Sequence, residues 1–138
     1  MNLYCVRELE QKILRLEEKI TTLRETMSGV KPAQLTGLPK EKNFLSSRVE
    51  KIAQELIDGE RELEELRAEQ RVLGAELTIE ILRHVHGRAA RIMVMRYVLL
   101  NRFRDIAFEL NLSDARIYYI HAETLKKLKE CGMEIGRD

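Results

Sequence analysis

The chain has 138 residues, of which 44% are hydrophobic and 34% charged, and its formal net charge is +1. It has no unbroken apolar run of membrane-spanning length and no leader in which a charged segment precedes an apolar one. We therefore expect a soluble, cytoplasmic protein with no membrane partner. The absence of Trp, the two prolines and the abundant Glu, Lys, Arg and Leu favour an all-α fold with one compact domain and a long extension.

The charges are divided unevenly along the chain. Residues 1–82 carry 13 basic and 16 acidic side chains, a net charge of −3, whereas residues 83–138 carry 11 and 7, a net charge of +4. A basic excess is what binding to the phosphates of nucleic acid requires. The C-terminal part has such an excess, although a mild one.

Residues that carry catalysis or bind metals form no recognisable pattern. Cys5 and Cys131 lie near opposite ends of the chain and match no metal-ligand spacing. His84 and His86 are two residues apart, so they point in different directions on a helix. No Gly-rich phosphate loop or nucleophile motif occurs. We therefore expect free thiols, no metal ion, no cofactor and no enzymatic activity.

A heptad pattern begins near the N-terminus, where apolar residues recur in alternating steps of three and four. They are Val6, Leu9, Ile13, Leu16, Ile20, Leu23 and Met27. This spacing draws one apolar seam along a helix and predicts a coiled-coil helix over residues 3–27. Ser28 and Gly29 are suitable residues to end it, because glycine accepts the left-handed cap conformation.

The pattern breaks over residues 29–46, where Pro32, Gly37 and Pro39 predict a long loop. This loop is either an element that contacts a partner or a partly ordered hairpin connection. Ser47 and Glu50 then have the spacing of a capping box and predict a second helix over residues 47–86. Its seam residues are Val49, Ile52, Leu56, Leu63, Leu66, Leu73 and Leu77, interrupted by Gly59 and Gln70. A polar seam residue such as Gln70 can fix the register by pairing with another polar group.

The two predicted helices differ in length. At 1.5 Å per residue, the first is about 37 Å long and the second about 60 Å long. If they fold back antiparallel, the first ends near residue 70 of the second. Other apolar side chains must then be covered by the C-terminal domain or by a second subunit, namely Leu73, Leu77, Ile81 and Leu82. Because a two-helix hairpin leaves apolar edges exposed, we favour a homodimer through the coiled coil, although the coil can pair within or between chains.

Residues 103–128 have the spacing of a helix-turn-helix. Apolar or small residues lie where two short crossing helices must touch, at Ile106, Ala107, Leu110, Leu112, Ile117 and Ile120. Ala107 is small at the expected crossing, and Asn111 stands at the turn, where a residue must tolerate positive φ. Ser113 is expected to cap the second helix, and Asp114 suits the positive end of its dipole.

Residues 91–128, RIMVMRYVLLNRFRDIAFELNLSDARIYYIHAETLKKL, resemble region 4 of bacterial sigma factors without a gap. The matching positions are Arg96, Tyr97, Ile106, Ala107, Ser113, Ile117, Tyr118, His121, Leu125 and Leu128. With the segment KPAQLTGLPK, residues 31–40, between two heptad helices, the arrangement is similar to small phage-encoded proteins of the ArpU and RinA kind. The resemblance implies a regulator of late-gene transcription in a bacterial host cell.

The resemblance also implies a short helix after Gly87 that braces the helix-turn-helix and lies near the flap of RNA polymerase. Its residues include Ile92, Met93, Met95, Arg96 and Tyr97. We expect Asn101 to cap the helix that follows. The chain departs from the family pattern at two places, because Leu100 replaces a frequent glycine and Arg102 stands where serine or threonine is common.

A recognition helix enters the major groove with the outward-facing residues of its N-terminal turns. The predicted contacts here are Ser113, Asp114, Ala115, Arg116, Tyr118, Tyr119 and Ala122. Arg116 is the best reader of a base or phosphate, because its guanidinium presents a fork of donors. Alternatively, Tyr118 and Tyr119 pack against Phe103, Phe108 or a neighbouring helix.

Cations beside the groove can neutralise phosphates, and the candidates are Arg102, Arg104, Lys126 and Lys127. The alternative for these four is a solvated helix face. Two acids on the second helix, Asp114 and Glu123, repel phosphate. They make a monomer a weak DNA binder that depends on dimerisation or on polymerase.

The predicted domains are a helical hairpin over residues 1–86 with a loop at 29–46, a sigma region 4-like helix-turn-helix over 87–130, and a tail over 131–138. The predicted function is a dimeric regulator of phage late genes that acts on double-stranded promoter DNA and on host RNA polymerase. The alternative is an adaptor that does not bind DNA and uses the sigma-like domain to bind polymerase or another regulator.

Overall fold

The structure is a computed structural model that describes residues 1–29 and 39–135, with the side chains of all of these but 39–45. In these ranges it has five helices, so the predicted all-α class is confirmed. They are α1 (Cys5–Ser28), α2 (Pro39–His84), α3 (Gly87–Tyr97), α4 (Phe103–Leu110) and α5 (Asp114–Glu130). None of them is long and apolar enough to cross a membrane.

Two compact units make up the fold. We call Gln11–Ala68 the heptad unit, and Met1–Glu10 with Glu69–Asp138 the C-terminal unit. The domain boundary predicted after residue 86 lies between α2 and α3, inside the C-terminal unit. The last turns of α2 belong to this unit because they pack on α3 and α5.

In the heptad unit, Ile13, Leu16 and Ile20 of the predicted α1 seam are at most 9% exposed, whereas its last two residues, Leu23 and Met27, are half-buried. The seam of α2 is half-buried there and includes Val49, Ile52, Leu56, Leu63 and Leu66. A methyl group added at the buried Gly59 would lie 3.2 Å from Cγ1 of Ile20. The missing side chain at Gly59 therefore lets the two helices approach closely.

Ion pairs also join α1 and α2 in the heptad unit. They are Glu17 with Arg67, Lys19 with Glu55, and Arg24 with Glu60. All three are at the surface, where such a pair contributes at most about 1 kcal/mol. Most of the stability of this unit must therefore come from the apolar seam.

The start of α2 corrects the predicted loop and cap. Residues 39–46 are helical, and Ser47 lies inside the helix, so the capping box at Ser47 is wrong. Pro39 is the first helical residue, a position that proline tolerates because its missing N–H has no helical partner there. The rest of the predicted loop and its partner-contacting role, residues 30–38, lie outside the described residues.

Of the four apolar residues of α2 that were expected to need a cover, Leu73, Leu77 and Ile81 are covered by the same chain. The first core of the C-terminal unit is formed by Leu3, Val6, Leu77, Ile81, Val85, Ala90, Met93, Tyr97, Leu128 and Met133. Leu77 and Ile81 are fully buried, and Leu73 is partly buried against this core. Leu82 is different: it remains 50% exposed, so its own chain does not cover it, and a cover from a second subunit stays a prediction. At about 100° per residue, Leu82 is turned by about 100° from Ile81 and about 140° from Leu77, outside the face that these two bury.

A polar contact sets the register at the start of α1. The side-chain amide of Gln70 donates hydrogen bonds to Oε2 of Glu10 at 2.7 Å and to the carbonyl of Val6 at 3.4 Å. The predicted pairing of Gln70 with a polar group is confirmed. A half-buried amide with such partners disfavours a shift of one helix along the other, because a shift would leave it unpaired.

The segment after α5 is only partly the tail that was predicted. Met133 is 6% exposed and belongs to the first core. The amide of Leu3 donates to the carbonyl of Glu134 at 2.9 Å, and the amide of Glu134 donates to the carbonyl of Met1 at 3.1 Å. The two ends of the C-terminal unit are thus joined through backbone groups, whereas residues 136–138 lie outside the described part.

A second core holds α3, α4 and α5 together. It consists of Ile92, Met95, Ile106, Ala107 and Ile117. Since Ala90, Met93 and Tyr97 belong to the first core, α3 has an apolar face toward each core. Burying a side chain the size of isoleucine contributes about 1.5–3 kcal/mol, so this core largely determines how α5 is held.

The connection from α3 to α4 differs from the prediction. The N-cap of α4 is Arg102, without a side-chain hydrogen bond, so the cap predicted at Asn101 is wrong. The amide of Asn101 instead donates to the carbonyl of Met95 at 2.9 Å. Leu100 has a φ of 59°, in the left-handed region that favours glycine.

Candidate nucleic-acid interface

The turn between α4 and α5 is built by Asn111 and Ser113. Asn111 has φ 58° and ψ 42°, a left-handed conformation that asparagine accepts more readily than most residues. The amide of Leu112 donates to the carbonyl of Ala107 at 2.9 Å. Oγ of Ser113 accepts a hydrogen bond from the amide of Arg116 at 3.2 Å. The predicted roles of Asn111 in the turn and of Ser113 as the cap are confirmed.

One face of α5 is buried and the other is bare. Ile117, Thr124 and Leu128 face the cores. The residues predicted to touch a major groove are all exposed, namely Ser113, Asp114, Ala115, Arg116, Tyr118, Tyr119 and Ala122. Among the described residues of the C-terminal unit, none covers the first turns of α5.

Two tyrosines rest on neighbouring groups while remaining half-exposed. Tyr118 is 55% exposed, and its ring centroid lies 4.8 Å from that of Phe103. Phe108 is 86% exposed. Tyr118 therefore packs against Phe103, one of the partners considered for it. Tyr119 is 59% exposed, with the guanidinium carbon of Arg116 5.5 Å from its ring centroid. This cation–π contact holds the guanidinium beside the exposed face.

The predicted phosphate-binding cations lie at two separate places. Arg102 and Arg104 are exposed at the N-terminus of α4. Lys126 and Lys127 are exposed near the end of α5, about 18 Å from Asp114 along the helix axis. Nζ of Lys126 lies 3.7 Å from Oε1 of Glu123, a surface pair that a phosphate can disrupt at little cost.

Aromatic side chains connect α5 to α3 and α4, an arrangement that the sequence did not predict. We call Tyr4, Tyr97, Phe103 and His121 the aromatic cluster. The Tyr97 hydroxyl and Nε2 of His121 are 2.6 Å apart, and the ring centroids of Phe103 and His121 are 4.8 Å apart. Tyr4 meets Tyr97 edge-on with ring centroids 5.5 Å apart. Tyr4 precedes α1 and belongs to no heptad pattern, so no local signal indicates this contact.

Arg96 connects the aromatic cluster to the turn before α4. Its guanidinium carbon lies 4.1 Å from the centroid of the Phe103 ring, and its Nη1 donates to the carbonyl of Asn101 at 3.1 Å. Burial lowers the pKa of the Arg96 guanidinium from its ordinary value, with nearby Arg7 contributing. Arg96 therefore supports the site from beneath and is not one of its exposed readers.

The hydrogen bond between Tyr97 and His121 has a defined direction. Burial, with a contribution from Tyr4, raises the pKa of Tyr97 well above its ordinary value, so the hydroxyl keeps its proton. Burial, with a contribution from the charge of Arg96, lowers the pKa of His121 from 6.5 to about 4. The Tyr97 hydroxyl therefore donates to neutral Nε2 of His121 near neutral pH.

We expect acid to destabilise the C-terminal unit through His121. Below pH 6.5 the unfolded chain binds a proton at His121 that the folded chain does not bind until the pH approaches its pKa of about 4. Stability is therefore complete above pH 6.5 and falls between these values, by about 1–2 kcal/mol after allowance for partial exposure. Urea unfolding at a series of pH values measures this loss.

The matched variant is His121→Gln, whose amide can still bond to Tyr97 but does not titrate. The difference in unfolding free energy between the wild type and this variant should depend on pH between 6.5 and 4. A difference that stays constant over this range would contradict the assigned environment of His121.

Comparison with known proteins supplies no relative from which a role could be transferred. No protein-family model, no curated protein and no solved structure matches the chain. Among the described side chains, no group of three His, Cys, Asp or Glu residues is placed to hold a metal ion. The exposed face of α5 is thus judged on its geometry and chemistry.

Proposed function

We propose that this chain is a DNA-binding regulator of phage late-gene transcription, with α4 and α5 forming a sigma region 4-like helix-turn-helix. It acts on double-stranded promoter DNA and on RNA polymerase in the cytoplasm of the bacterial host. In this proposal α1 and α2 form an antiparallel coiled-coil hairpin, and the protein is a homodimer of the ArpU and RinA kind.

The observation that carries the proposal is the bare N-terminal half of α5. Ser113 caps this helix, and Ile117 anchors its inner face. Between them Arg116 is exposed, with the half-exposed ring of Tyr119 beside it. A capped, rigidly packed helix whose first turns present a guanidinium and aromatic rings can enter a major groove and contact base edges.

Contacts within the heptad unit support the hairpin. Glu17 pairs with Arg67, whereas Lys19 and Arg24 further along α1 pair with Glu55 and Glu60, which come earlier in α2. This order is the one that an antiparallel pair of helices requires. The approach of Ile20 to Gly59 is the close interhelical contact such a hairpin needs.

An adaptor that does not bind DNA is the second candidate. Asp114 and Glu123 are exposed on α5, where they repel phosphate. Phe108 on α4 is 86% exposed, so its aromatic ring is available to a protein partner. In this reading the sigma-like domain binds polymerase or another regulator.

Arg116→Ala is expected to weaken DNA binding about tenfold or more, because it removes the one exposed cation in the first turns of α5. The probe is the set of short duplexes enriched by the wild type from a random-sequence library. Fluorescence anisotropy at several salt concentrations measures the affinity. For the wild type, affinity should fall steeply as salt rises, because phosphate contacts release counterions.

Arg61→Ala is the matched control, since Arg61 is an exposed arginine that belongs to the heptad unit and not to α5. It should bind the enriched duplexes as the wild type does. Failure to enrich any duplex, or affinity that is insensitive to salt, would contradict the DNA-binding proposal. If the protein enriches no duplex but still captures purified RNA polymerase, this result would support the adaptor.

A further inference from the structure

The C-terminal end of α2 has a second apolar face. Val72, Ile79 and Leu82 are 58%, 54% and 50% exposed, and Ala75 is exposed as well. These four residues follow one another in steps of three, four and three, which is the spacing of a coiled-coil seam. We call them the outer stripe.

The outer stripe lies opposite the face by which α2 packs within the C-terminal unit. At about 100° per residue, Ile79 is turned by about 200° from Leu77, which is fully buried in the first core. This part of α2 is therefore apolar on two sides. A helix that is apolar on both sides is usually buried on both, so the outer stripe calls for a partner.

We propose that the partner is a second copy of this chain, paired through the outer stripe as a parallel two-stranded coiled coil. Val72 and Ile79 would occupy the a positions, where β-branched residues favour two strands in a parallel arrangement. Ala75 and Leu82 would occupy the d positions, and the small Ala75 allows the helices to approach closely. Because each copy contributes the same surface, the pairing closes on itself and forms a dimer.

The charges beside the stripe favour the parallel arrangement. Arg71 occupies the g position immediately before Val72, and Glu76 occupies the e position immediately after Ala75. In a parallel pair these two positions meet across the interface, so Arg71 of each copy lies beside Glu76 of the other. Both are exposed, and among the described side chains neither forms an ion pair within its own chain. An antiparallel pair with Ala75 opposite Ile79 would instead bring the two Glu76 side chains together.

This dimer deepens the proposed function and, where it concerns DNA, rests on it. Parallel helices related by a twofold axis place both C-terminal units at the same end of the pair. Two copies of α5 could then contact two half-sites of one duplex, which offsets the weak affinity expected for one copy with Asp114 and Glu123 on its surface. The pairing itself needs no DNA, so it is tested without DNA.

Sedimentation equilibrium of the full chain tests the dimer. The wild type should dimerise at concentrations on the order of tens of micromolar, as expected for a short seam. Ile79→Glu should raise the dimer dissociation constant about tenfold or more, because it places a charge in the seam. Leu14→Glu is the control: Leu14 belongs to α1 and not to the stripe, and it is 54% exposed, as Ile79 is. Circular dichroism should show the same helical content for both variants as for the wild type.

A charge exchange tests the orientation. Arg71→Glu and Glu76→Arg should each weaken the dimer, and the double variant should restore it, because the opposite charges are then re-paired across the interface.

A wild type that stays monomeric at those concentrations, or an Ile79→Glu variant that dimerises as before, would overturn the proposal. Failure of the double variant to restore the dimer would overturn the parallel pairing. A wild type that dimerises through the stripe but enriches no duplex would leave this inference standing while the DNA-binding proposal fails.

Discussion

Ile117→Ala is expected to lower the free energy of unfolding of the C-terminal unit by about 2–5 kcal/mol. Ile117 is fully buried, and it packs with Ile106 and Ala107 of α4 and with Ile92 and Met95 of α3. The truncation removes apolar burial and leaves a cavity where three helices meet. Urea denaturation followed by circular dichroism measures the loss.

Tyr119→Ala is the matched control, because Tyr119 lies two residues away on the same helix and is 59% exposed. It should change the free energy of unfolding by no more than about 0.5 kcal/mol. DNA affinity should show a different pattern: Tyr119→Ala weakens binding without unfolding the protein, whereas Ile117→Ala weakens it through loss of the fold. Equal stability losses in the two variants would contradict the assignment of the buried and bare faces of α5.

Ala107→Leu is expected to cost about 1–3 kcal/mol, because it forces a larger side chain into a filled space. Ala107 is 4% exposed and belongs to the second core, where α4 meets α5. Leucine and alanine both have a high helix propensity, so a change in propensity does not obscure the cost of overpacking. A longer side chain must also push α5 away from α4, which would misplace Arg116. We therefore expect a reduced thermal midpoint together with weaker binding to the enriched duplexes.

The same substitution at an exposed alanine of α5 provides the comparison. Ala122→Leu adds the same atoms where they meet solvent, and its stability should stay within about 0.5 kcal/mol of the wild type. If Ala107→Leu proves as stable as Ala122→Leu, the close packing assigned to Ala107 is incorrect. Crystals of the Ala107→Leu variant, should it fold, would show whether α5 has moved.

The candidate site illustrates how far the sequence can predict a surface. The turn at Asn111 and the cap at Ser113 follow from the chemistry of each residue and its near neighbours, and both are present. The bare face of α5 follows from helical periodicity once the inward position of Ile117 is known. The support beneath it does not follow, because Tyr97 and His121 are 24 residues apart in the chain. Only folding brings them together.

Helix ends were less predictable than helix faces. Pro39 and Ser47 are each compatible with two local structures. Proline can break a helix or begin one, and serine can cap a helix or lie within it. Here α2 begins at Pro39 and passes through Ser47. At the start of α4, the backbone of Asn101 is held by Met95, and Arg102 takes the cap position. Such choices depend on the path of the chain outside the helix.

By itself, the sequence determined the all-α class, the seam of α1, the pairing of Gln70 and the chemistry of the turn at Asn111. These features depend on the spacing of residues along one helix or on the conformation that one side chain permits. Only the tertiary structure decided what covers Leu77 and Ile81, and that Leu82 stays bare. The physical reason is that periodicity shows which face of a helix is apolar but not which distant segment buries it.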